Sequence, residues 1–228
     1  MSIRDNIARI RDEIAKAAED SGRKPEDITL VAASKTKPTA YIKEAITAGV
    51  NAVGENRVQE MLEKKSEGAY NGSKLHFIGH LQSNKVNKVV GVCDLIESVS
   101  SKALLEQIGK RAESLGITQD VLIEINIGRE PQKSGILPEQ TEEVLEYASK
   151  IRNIKVHGFM AIPPFFVENE RNCSYFDRMF KLFVDMSAKK YDNISVRLLS
   201  MGMSDTYIDA IRCGSNMIRV GSAIFGER

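Results

Sequence analysis

A lysine stands at the end of an apolar run near the start of the chain. Residues 28–33, ITLVAA, predict a buried strand, and the chain then continues as SKTKP with Lys35 in the second position. The commoner interpretation is a solvated lysine in a loop before a helix. The other is a partly desolvated amine, because burial lowers the pKa of a lysine and a neutral amine attacks an aldehyde to form a Schiff base. The position of Lys35 alone does not decide between them.

Two glycine-containing stretches near the end of the chain are typical of phosphate-binding loops. SMGMSD at 200–205 contains Gly202, and VGSAIFGER at 220–228 contains Gly221 and Ser222. Glycine lets the backbone approach an anion closely, and the unpaired N–H groups at a helix start favour negative charge. Each stretch taken alone is equally typical of an ordinary turn.

Together with Lys35, these two stretches point to one cofactor. In a barrel of eight strands, the loops after strands seven and eight often bind phosphate, and closure places strand eight beside strand one. We expect the barrel interior to desolvate Lys35 and the phosphate loops to present it with an aldehyde. That combination is typical of pyridoxal 5′-phosphate (PLP). A barrel that binds some other phosphorylated metabolite is an alternative, but it gives Lys35 no purpose.

Arg219 lies in the last predicted strand, just before the second phosphate loop. It is either a charge paired at a barrel end or a partner for the pyridine nitrogen of PLP. Because arginine stays protonated, it would hold that nitrogen as an acceptor. An unprotonated pyridine is a poor electron sink, so PLP bound in this way should not strongly stabilise a carbanion.

Other polar and flexible residues follow the remaining strands. Asn56 is either a ligand of the cofactor ring oxygen or a helix cap, and the cap is slightly favoured on sequence alone. His80 is best interpreted as a structural hydrogen-bonding residue, since the three histidines have no metal-ligand spacing. Met160 is expected in the core, and PQKSG at 131–135 in a surface loop.

The elements that must position these residues alternate between strand and helix. Isoleucines recur at helical spacing from Ile3 to Ile14, and Ser2 with Asp5 forms a capping box, which predicts a first helix over 1–22. Eight apolar segments then alternate with helical ones, which include SNKVNKVVG at 83–91 and the long segment that begins at Glu168. Continuous apolar strands are typical of parallel sheets buried on both faces. Eight such units predict an α/β fold, a (β/α)8 TIM barrel with an extra N-terminal helix, with an open doubly wound sheet as the alternative.

Composition excludes several classes of protein. The 228 residues carry a net charge of +1, so we expect neither a nucleic-acid surface nor attraction to an anionic membrane. The N-terminus does not resemble a signal peptide, and no apolar run is long enough to span a membrane. The three cysteines are widely spaced and predict reduced thiols in a cytoplasmic protein without a metal. In the absence of a linker or repeat, we predict a single domain over 1–228.

The motifs taken together resemble those of a known family. SKTKP, GENRVQE, HFIGHLQSNK, KSG, GFMAIP, LSMGMSD and MIRVGSAIFG occur in the order seen in the YggS/PROSC family of PLP homeostasis proteins, from about residue 28 to residue 226. The resemblance implies a fold like the N-terminal barrel of alanine racemase. It also implies a role in keeping free PLP low, in delivering PLP to apo-enzymes and in balancing amino acids and keto acids, without robust catalysis.

The resemblance further implies a set of cofactor-binding residues. The lysine of SKTKP would carry PLP, an asparagine would lie beside the ring, an arginine would contact the pyridine nitrogen, and the late loops would hold the phosphate. In this chain these are Lys35, Asn56, Arg219, and the phosphate group Ser200, Met201, Gly202, Gly221 and Ser222. Two features depart from the family pattern. Arg57 replaces the usual aromatic residue after GEN, and the chain ends at 226–228, where many relatives carry a short basic or aromatic tail.

The alternative to a carrier is a small PLP enzyme such as an amino-acid racemase. Racemisation needs acid–base groups on both faces of the substrate. In alanine racemase a tyrosine from a second domain of a partner subunit serves one face, and we expect that domain to be absent here. We therefore predict a non-catalytic PLP protein, a monomer, whose further partners are apo-enzymes and amino acids.

Overall fold

A computed structural model describes residues 2–164 and 169–227 of the chain. Within these ranges it contains eight β-strands and eight α-helices, with short 3₁₀ helices at Pro25–Asp27, Ser83–Lys88 and Pro138–Gln140. The strands are β1 Thr29–Ala33, β2 Ala52–Glu55, β3 Lys74–Phe77, β4 Leu95–Val99, β5 Gln119–Ile125, β6 Ile154–Ala161, β7 Ile194–Ser200 and β8 Met217–Val220. The helices are α1 Ile3–Asp20, α2 Thr39–Thr47, α3 Val58–Ser66, α4 Lys102–Ser114, α5 Thr141–Ala148, α6 Asn169–Ser187, α7 Tyr207–Arg212 and α8 Ser222–Phe225.

The strands form a closed parallel barrel in the order β1 to β8. β1 pairs with β2 on one side, where Ala33 is in register with Gly54, and with β8 on the other, where Val31 is in register with Arg219. The pairing of the first strand with the last excludes the open doubly wound sheet. The predicted (β/α)8 fold is therefore confirmed.

The chain divides into two compact units, one of Met1–His76 with Ser200–Arg228 and one of Phe77–Leu199. In the first unit the strand side chains at Leu30, Val31 and Ile218 are fully buried. In the second, β5 is buried from Val121 onward. The single domain expected over 1–228 stays a prediction.

Helix α1 begins with the predicted capping box. The Ser2 hydroxyl accepts from the Asp5 amide at 3.1 Å, and the Asp5 carboxylate accepts from the Ser2 amide at 3.0 Å. The buried face of α1 packs against α2, α7 and α8. Just after the helix, Arg23 donates to the carbonyl oxygen of Ser215 at 2.8 Å. Burial lowers the pKa of Arg23, yet a guanidinium stays protonated at any ordinary pH, so this hydrogen bond between the end of α1 and the approach to β8 is not lost by deprotonation.

One predicted helix differs from the structure, and another is found with its first residue outside the described ranges. The segment 83–91 was expected as a helix, but only a 3₁₀ helix forms at Ser83–Lys88. Its β-branched Val86, Val89 and Val90 lose side-chain freedom in an α-helix. The helix expected from Glu168 is found as α6, while Glu168 itself lies outside the described residues. In the described part of the chain, no helix combines the length and the apolar character that crossing a membrane requires.

Candidate functional site

Lys35 lies in a turn directly after β1. Ser34 is fully buried, whereas Lys35 and Thr36 are exposed. The turn closes through a 3.0 Å hydrogen bond from the Lys37 amide to the Ser34 carbonyl, and Thr36 has a positive φ of 64°. The expected desolvation of Lys35 by the barrel interior is therefore wrong, because the turn lifts the residue out of the strand into solvent. The amine is accessible to a ligand.

The loop after β8 lies against the end of β1. A Cβ atom added to Gly221 would lie 3.2 Å from the carbonyl oxygen of Ala33, so only glycine fits there without a shift of its neighbour. Ala33 precedes Lys35 by two residues. The register of β1 with β8 therefore brings the second predicted phosphate loop beside the turn that contains Lys35, here called the lysine turn. The closed barrel predicted from the sequence implied this proximity.

Ser204 joins the two predicted phosphate loops. Its Oγ atom, in the loop after β7, accepts hydrogen bonds from the backbone N–H of Gly221 at 3.2 Å and of Ala223 at 3.3 Å. Ser222, which stands between these two donors, begins α8 and is exposed. Ser204 was not among the predicted site residues. Its place in SMGMSD, two residues beyond Gly202, was the only available signal.

Gly202 is required by the backbone itself. Its φ is +96°, and a Cβ atom there would lie 2.6 Å from the Cβ of Ala210 in α7. Its carbonyl oxygen accepts from the Arg219 amide at 3.1 Å. Gly202 thus fixes the path of the loop and the approach of α7, whether or not it contacts a ligand.

Met201 is held by the sheet. Its amide donates to the Met217 carbonyl at 3.1 Å, and its carbonyl accepts from the Ser215 hydroxyl at 2.8 Å. The residue is fully buried. The backbone role expected for Met201 at the phosphate stays a prediction, and it would require that amide to share its hydrogen bond.

Arg219 and Ser200 form a buried pair. The Arg219 Nη1 atom donates to Ser200 Oγ at 2.5 Å, and the two residues are 4% and 0% exposed. A buried guanidinium needs partners for its donors, and the hydroxyl of Ser200 is one of them. The family resemblance assigns Ser200 to the phosphate and Arg219 to the pyridine nitrogen, which are opposite ends of the cofactor. The structure joins these two residues by a hydrogen bond.

Asn56 does not cap a helix. The N-cap of α3 is Arg57, whose side chain makes no capping hydrogen bond, and Asn56 precedes it. The Oδ1 atom of Asn56 is buried and has no hydrogen-bond partner among the residues that the structure describes. Leaving a buried acceptor unpaired is costly, so this atom suits contact with a ligand. The helix-cap interpretation is wrong.

The remaining singled-out residues belong to the unit 77–199. His80 Nδ1 lies 2.8 Å from Ser134 Oγ in the 131–135 loop, which confirms a hydrogen-bonding role. Met160 is fully buried in β6, as expected. The eight predicted cofactor residues all belong to the other unit. Hydrogen bonds join Arg219 to Ser200 and to Gly202, and the Gly221 backbone lies against Ala33, two residues before Lys35. Asn56 follows β2, the neighbour of β1 in the barrel.

Comparisons with known proteins agree with this geometry. The model of the alanine racemase N-terminal domain family matches residues 2–228. A pyridoxal phosphate homeostasis protein of Aquifex aeolicus is 40% identical over 228 residues, which is 100% of this chain and 99% of the relative. The structure of PipY from Synechococcus elongatus with PLP bound has a TM-score of 0.81 and 32% identity, covering 93% of this chain and 100% of PipY.

An alanine racemase of Clostridium difficile shares the fold. Its TM-score is 0.74 at 19% identity, and the match covers 98% of this chain but 60% of the racemase. The family resemblance predicted from the motifs is confirmed by the full-length relatives. The chain belongs to the alanine racemase N-terminal domain family and, within it, to the pyridoxal phosphate homeostasis proteins.

Proposed function

We propose that the chain binds PLP, holds it as a Schiff base on Lys35, and buffers or delivers it within the cell rather than using it in catalysis. One observation carries the proposal: the Gly221 loop lies against Ala33, two residues before Lys35. An aldehyde on a phosphate-anchored ring would thus meet the lysine turn. The name of the Aquifex relative and the PLP in PipY support it.

The residues of the site fit the cofactor. The buried Oδ1 of Asn56, which has no hydrogen-bond partner within the described ranges, suits a polar group of the ring. The absence of a side chain at Gly221 leaves room where a Cβ would crowd Ala33. Ser204, with two backbone N–H groups already converging on its hydroxyl, marks where an anion would find donors. Ser200, Gly202 and Ser222 lie on the same two loops.

Bound PLP would supply an aldehyde, to which the Lys35 amine adds with loss of one water as the C=N bond forms. Lys35 does the binding, and its exposure keeps the amine within reach of water and of competing amines. Such a lysine suits reversible holding of a cofactor. We also propose that an amino acid would displace Lys35 as a competing amine without itself being turned over.

Arg219 supports a carrier rather than an enzyme. Its buried guanidinium remains charged and can only donate, so it would hold the pyridine nitrogen as an acceptor. The alternative function is a small amino-acid racemase. A racemase would exchange the α-hydrogen of an added amino acid for deuterium, whereas a carrier would not. Steady exchange at enzyme-like rates, on the order of 1 s⁻¹ or faster, would contradict the carrier.

The cysteines bear on where in the cell the protein works. The three cysteines are free thiols, which supports a reducing compartment such as the cytoplasm. We propose a monomer that gives PLP to apo-enzymes. Sedimentation of the loaded protein tests the oligomeric state, and transfer of PLP to an added apo-enzyme across a size-exclusion step tests delivery.

The first experiment is an absorption spectrum of the purified protein with added PLP, before and after borohydride. We expect a visible band that borohydride bleaches and a pyridoxyl mass on the peptide that contains Lys35. A Lys35→Ala variant should lose the band. It should still bind PLP, but more weakly, because the phosphate contacts remain. Absence of the band, or unchanged PLP affinity in the variant, would contradict the Schiff base and leave a site for some other phosphorylated metabolite.

A further inference from the structure

A cluster of three charged residues lies beside the turn that carries Lys35. It consists of Glu55 at the end of β2 and of Glu60 and Lys64 in α3, and is here called the Lys64 cluster. Glu55 is fully buried and Lys64 is 8% exposed. The Lys64 Nζ atom lies 2.8 Å from Glu55 Oε1 and 2.7 Å from Glu60 Oε1. One ammonium group thus pairs with two carboxylates, so the cluster has a formal charge of −1, and only its Glu60 member is partly exposed.

The cluster contacts both neighbours of Lys35. The third contact of Lys64 Nζ is the Ser34 carbonyl oxygen at 2.8 Å, and Glu55 Oε1 accepts from the Ser34 hydroxyl at 2.6 Å. On the other side of Lys35, the Glu60 carboxylate accepts from the backbone N–H of Thr36. The backbone is therefore fixed immediately before and immediately after the lysine.

The Thr36 contact holds an unfavourable conformation. Thr36 has φ 64°, in the left-handed region that β-branched residues rarely adopt. Such a conformation persists only when surrounding contacts impose it, and it is enriched at functional sites. The hydrogen bond from the Thr36 N–H to the Glu60 carboxylate is one such contact, beside the Lys37–Ser34 bond that closes the turn. Without the Glu60 acceptor, we expect Thr36 to relax towards a negative φ and the direction of Lys35 to change.

Stability alone does not account for burying these charges. A buried ion pair gains little over well-packed apolar side chains of the same volume, because both ions lose their hydration. What the Lys64 cluster does provide is a defined geometry for one short turn. We propose that the Lys64 cluster, through Glu60 and Thr36, positions Lys35 for its reaction with the aldehyde of PLP. This inference rests on the proposed function of Lys35.

The test compares three substitutions in α3. Glu60→Ala removes the acceptor of the Thr36 N–H, and Glu60→Gln keeps an acceptor oxygen while removing the charge. Glu63→Ala is the matched control, because Glu63 is exposed on the same helix and its carboxylate accepts from Gln59 instead. Total bound PLP is measured after release by alkali. The rate at which PLP becomes trapped on Lys35 by borohydride is measured by peptide mass spectrometry.

We expect Glu60→Ala to bind PLP through the phosphate contacts but to form the Lys35 adduct on the order of tenfold more slowly, since small misplacements of a reacting group cost this much or more. Glu60→Gln and Glu63→Ala should react at the wild-type rate. Wild-type speed in Glu60→Ala would overturn the inference, and so would an equal slowing in Glu60→Gln or Glu63→Ala.

A second variant covers the case in which Glu60→Ala does not fold. Glu60→Asp keeps the charge beside Lys64 but withdraws the carboxylate from Thr36 by one methylene, so it should slow adduct formation in a folded protein. In either background, adding Thr36→Asn should restore part of the rate, because asparagine tolerates the left-handed conformation. No restoration would overturn the role of Thr36. If the wild-type protein forms no Lys35 adduct, it is the proposed function that fails.

Discussion

The Nη1 atom of Arg219 donates a hydrogen bond to the hydroxyl of Ser200 at 2.5 Å, and both residues are buried. The family resemblance assigns Ser200 to the phosphate and Arg219 to the pyridine nitrogen. Their contact means that the serine also orients the guanidinium. The two ends of the expected cofactor are therefore linked through one hydroxyl group.

Ser200→Ala tests this link. The substitution leaves a buried donor of Arg219 without one of its acceptors, which we expect to cost about 1–3 kcal/mol of stability. PLP affinity should fall, and the absorption maximum of the bound cofactor should move because the guanidinium beside its ring is less constrained. Thermal unfolding and PLP titration measure the two effects, with Ser200→Thr as the control that keeps the hydroxyl. An unchanged spectrum in Ser200→Ala would contradict the orienting role.

Gly221→Ala tests the close approach of the β8 loop to β1. The new Cβ would lie 3.2 Å from the Ala33 carbonyl oxygen, so the loop must shift by a few tenths of an ångström. Overpacking of this kind costs about 1–3 kcal/mol, and we expect roughly a tenfold or greater loss of PLP affinity. Titration of PLP fluorescence measures it.

Gly202→Ala provides the contrast to Gly221→Ala. Because Gly202 has φ +96° and a Cβ there would meet Ala210 at 2.6 Å, its substitution should lower the melting temperature of the protein even without PLP. Gly221→Ala should lower it by less. An equal fall in melting temperature in the two variants, together with equal PLP affinity, would show that Gly221 serves the fold rather than the ligand.

Ser204→Ala tests the bridge between the two phosphate loops. Without the hydroxyl, the N–H groups of Gly221 and Ala223 lose their acceptor. We expect a loss of about 1 kcal/mol in the protein without PLP, or about 2–4 °C in melting temperature for a chain of this size. Saturating PLP should reduce the difference, because a phosphate oxygen can accept from the same donors. An equal loss with and without PLP would contradict this placement of the phosphate.

The capping box of α1 predicts a pH dependence. Hydrogen bonds from the amide and hydroxyl of Ser2 lower the pKa of Asp5 below its usual value of 3.8. A depressed folded-state pKa contributes stability above the unfolded value, and that contribution disappears as the pH falls through the folded-state value. The protection of the first turn of α1 against hydrogen exchange, measured relative to the intrinsic exchange rate at each pH, should therefore fall below about pH 4. A Ser2→Ala variant should have lower protection already at pH 7, with a weaker dependence on pH.

The barrel could be predicted from sequence because its signals are local. The apolar run before Lys35 and the isoleucine spacing from Ile3 to Ile14 each report one element, and the observed β1 and α1 follow them closely. The 83–91 segment shows the limit of this reasoning. Its valines suit a helical face by spacing, but the crowding of β-branched side chains and a cap without a side-chain hydrogen bond leave only a 3₁₀ helix.

The site could be predicted only in part. Lys35 and the two glycine loops carry recognisable patterns, and the closed barrel brings them together. The exposure of Lys35 and its support by Lys64 could not be predicted, because a buried lysine that contacts a backbone carbonyl thirty residues earlier leaves no periodic signal. Glu55, a charged residue closing an apolar strand, was the available hint.

The unit that contains every predicted cofactor residue is drawn from two distant stretches of the chain, Met1–His76 and Ser200–Arg228. During synthesis, Lys35 and Asn56 leave the ribosome on the order of ten seconds before Ser200 is made. Throughout that interval β1 lacks its partner β8, and the nascent chain holds a lysine turn without phosphate loops. The two predicted phosphate loops can therefore contribute to a binding site only after the last strand of the barrel has been made.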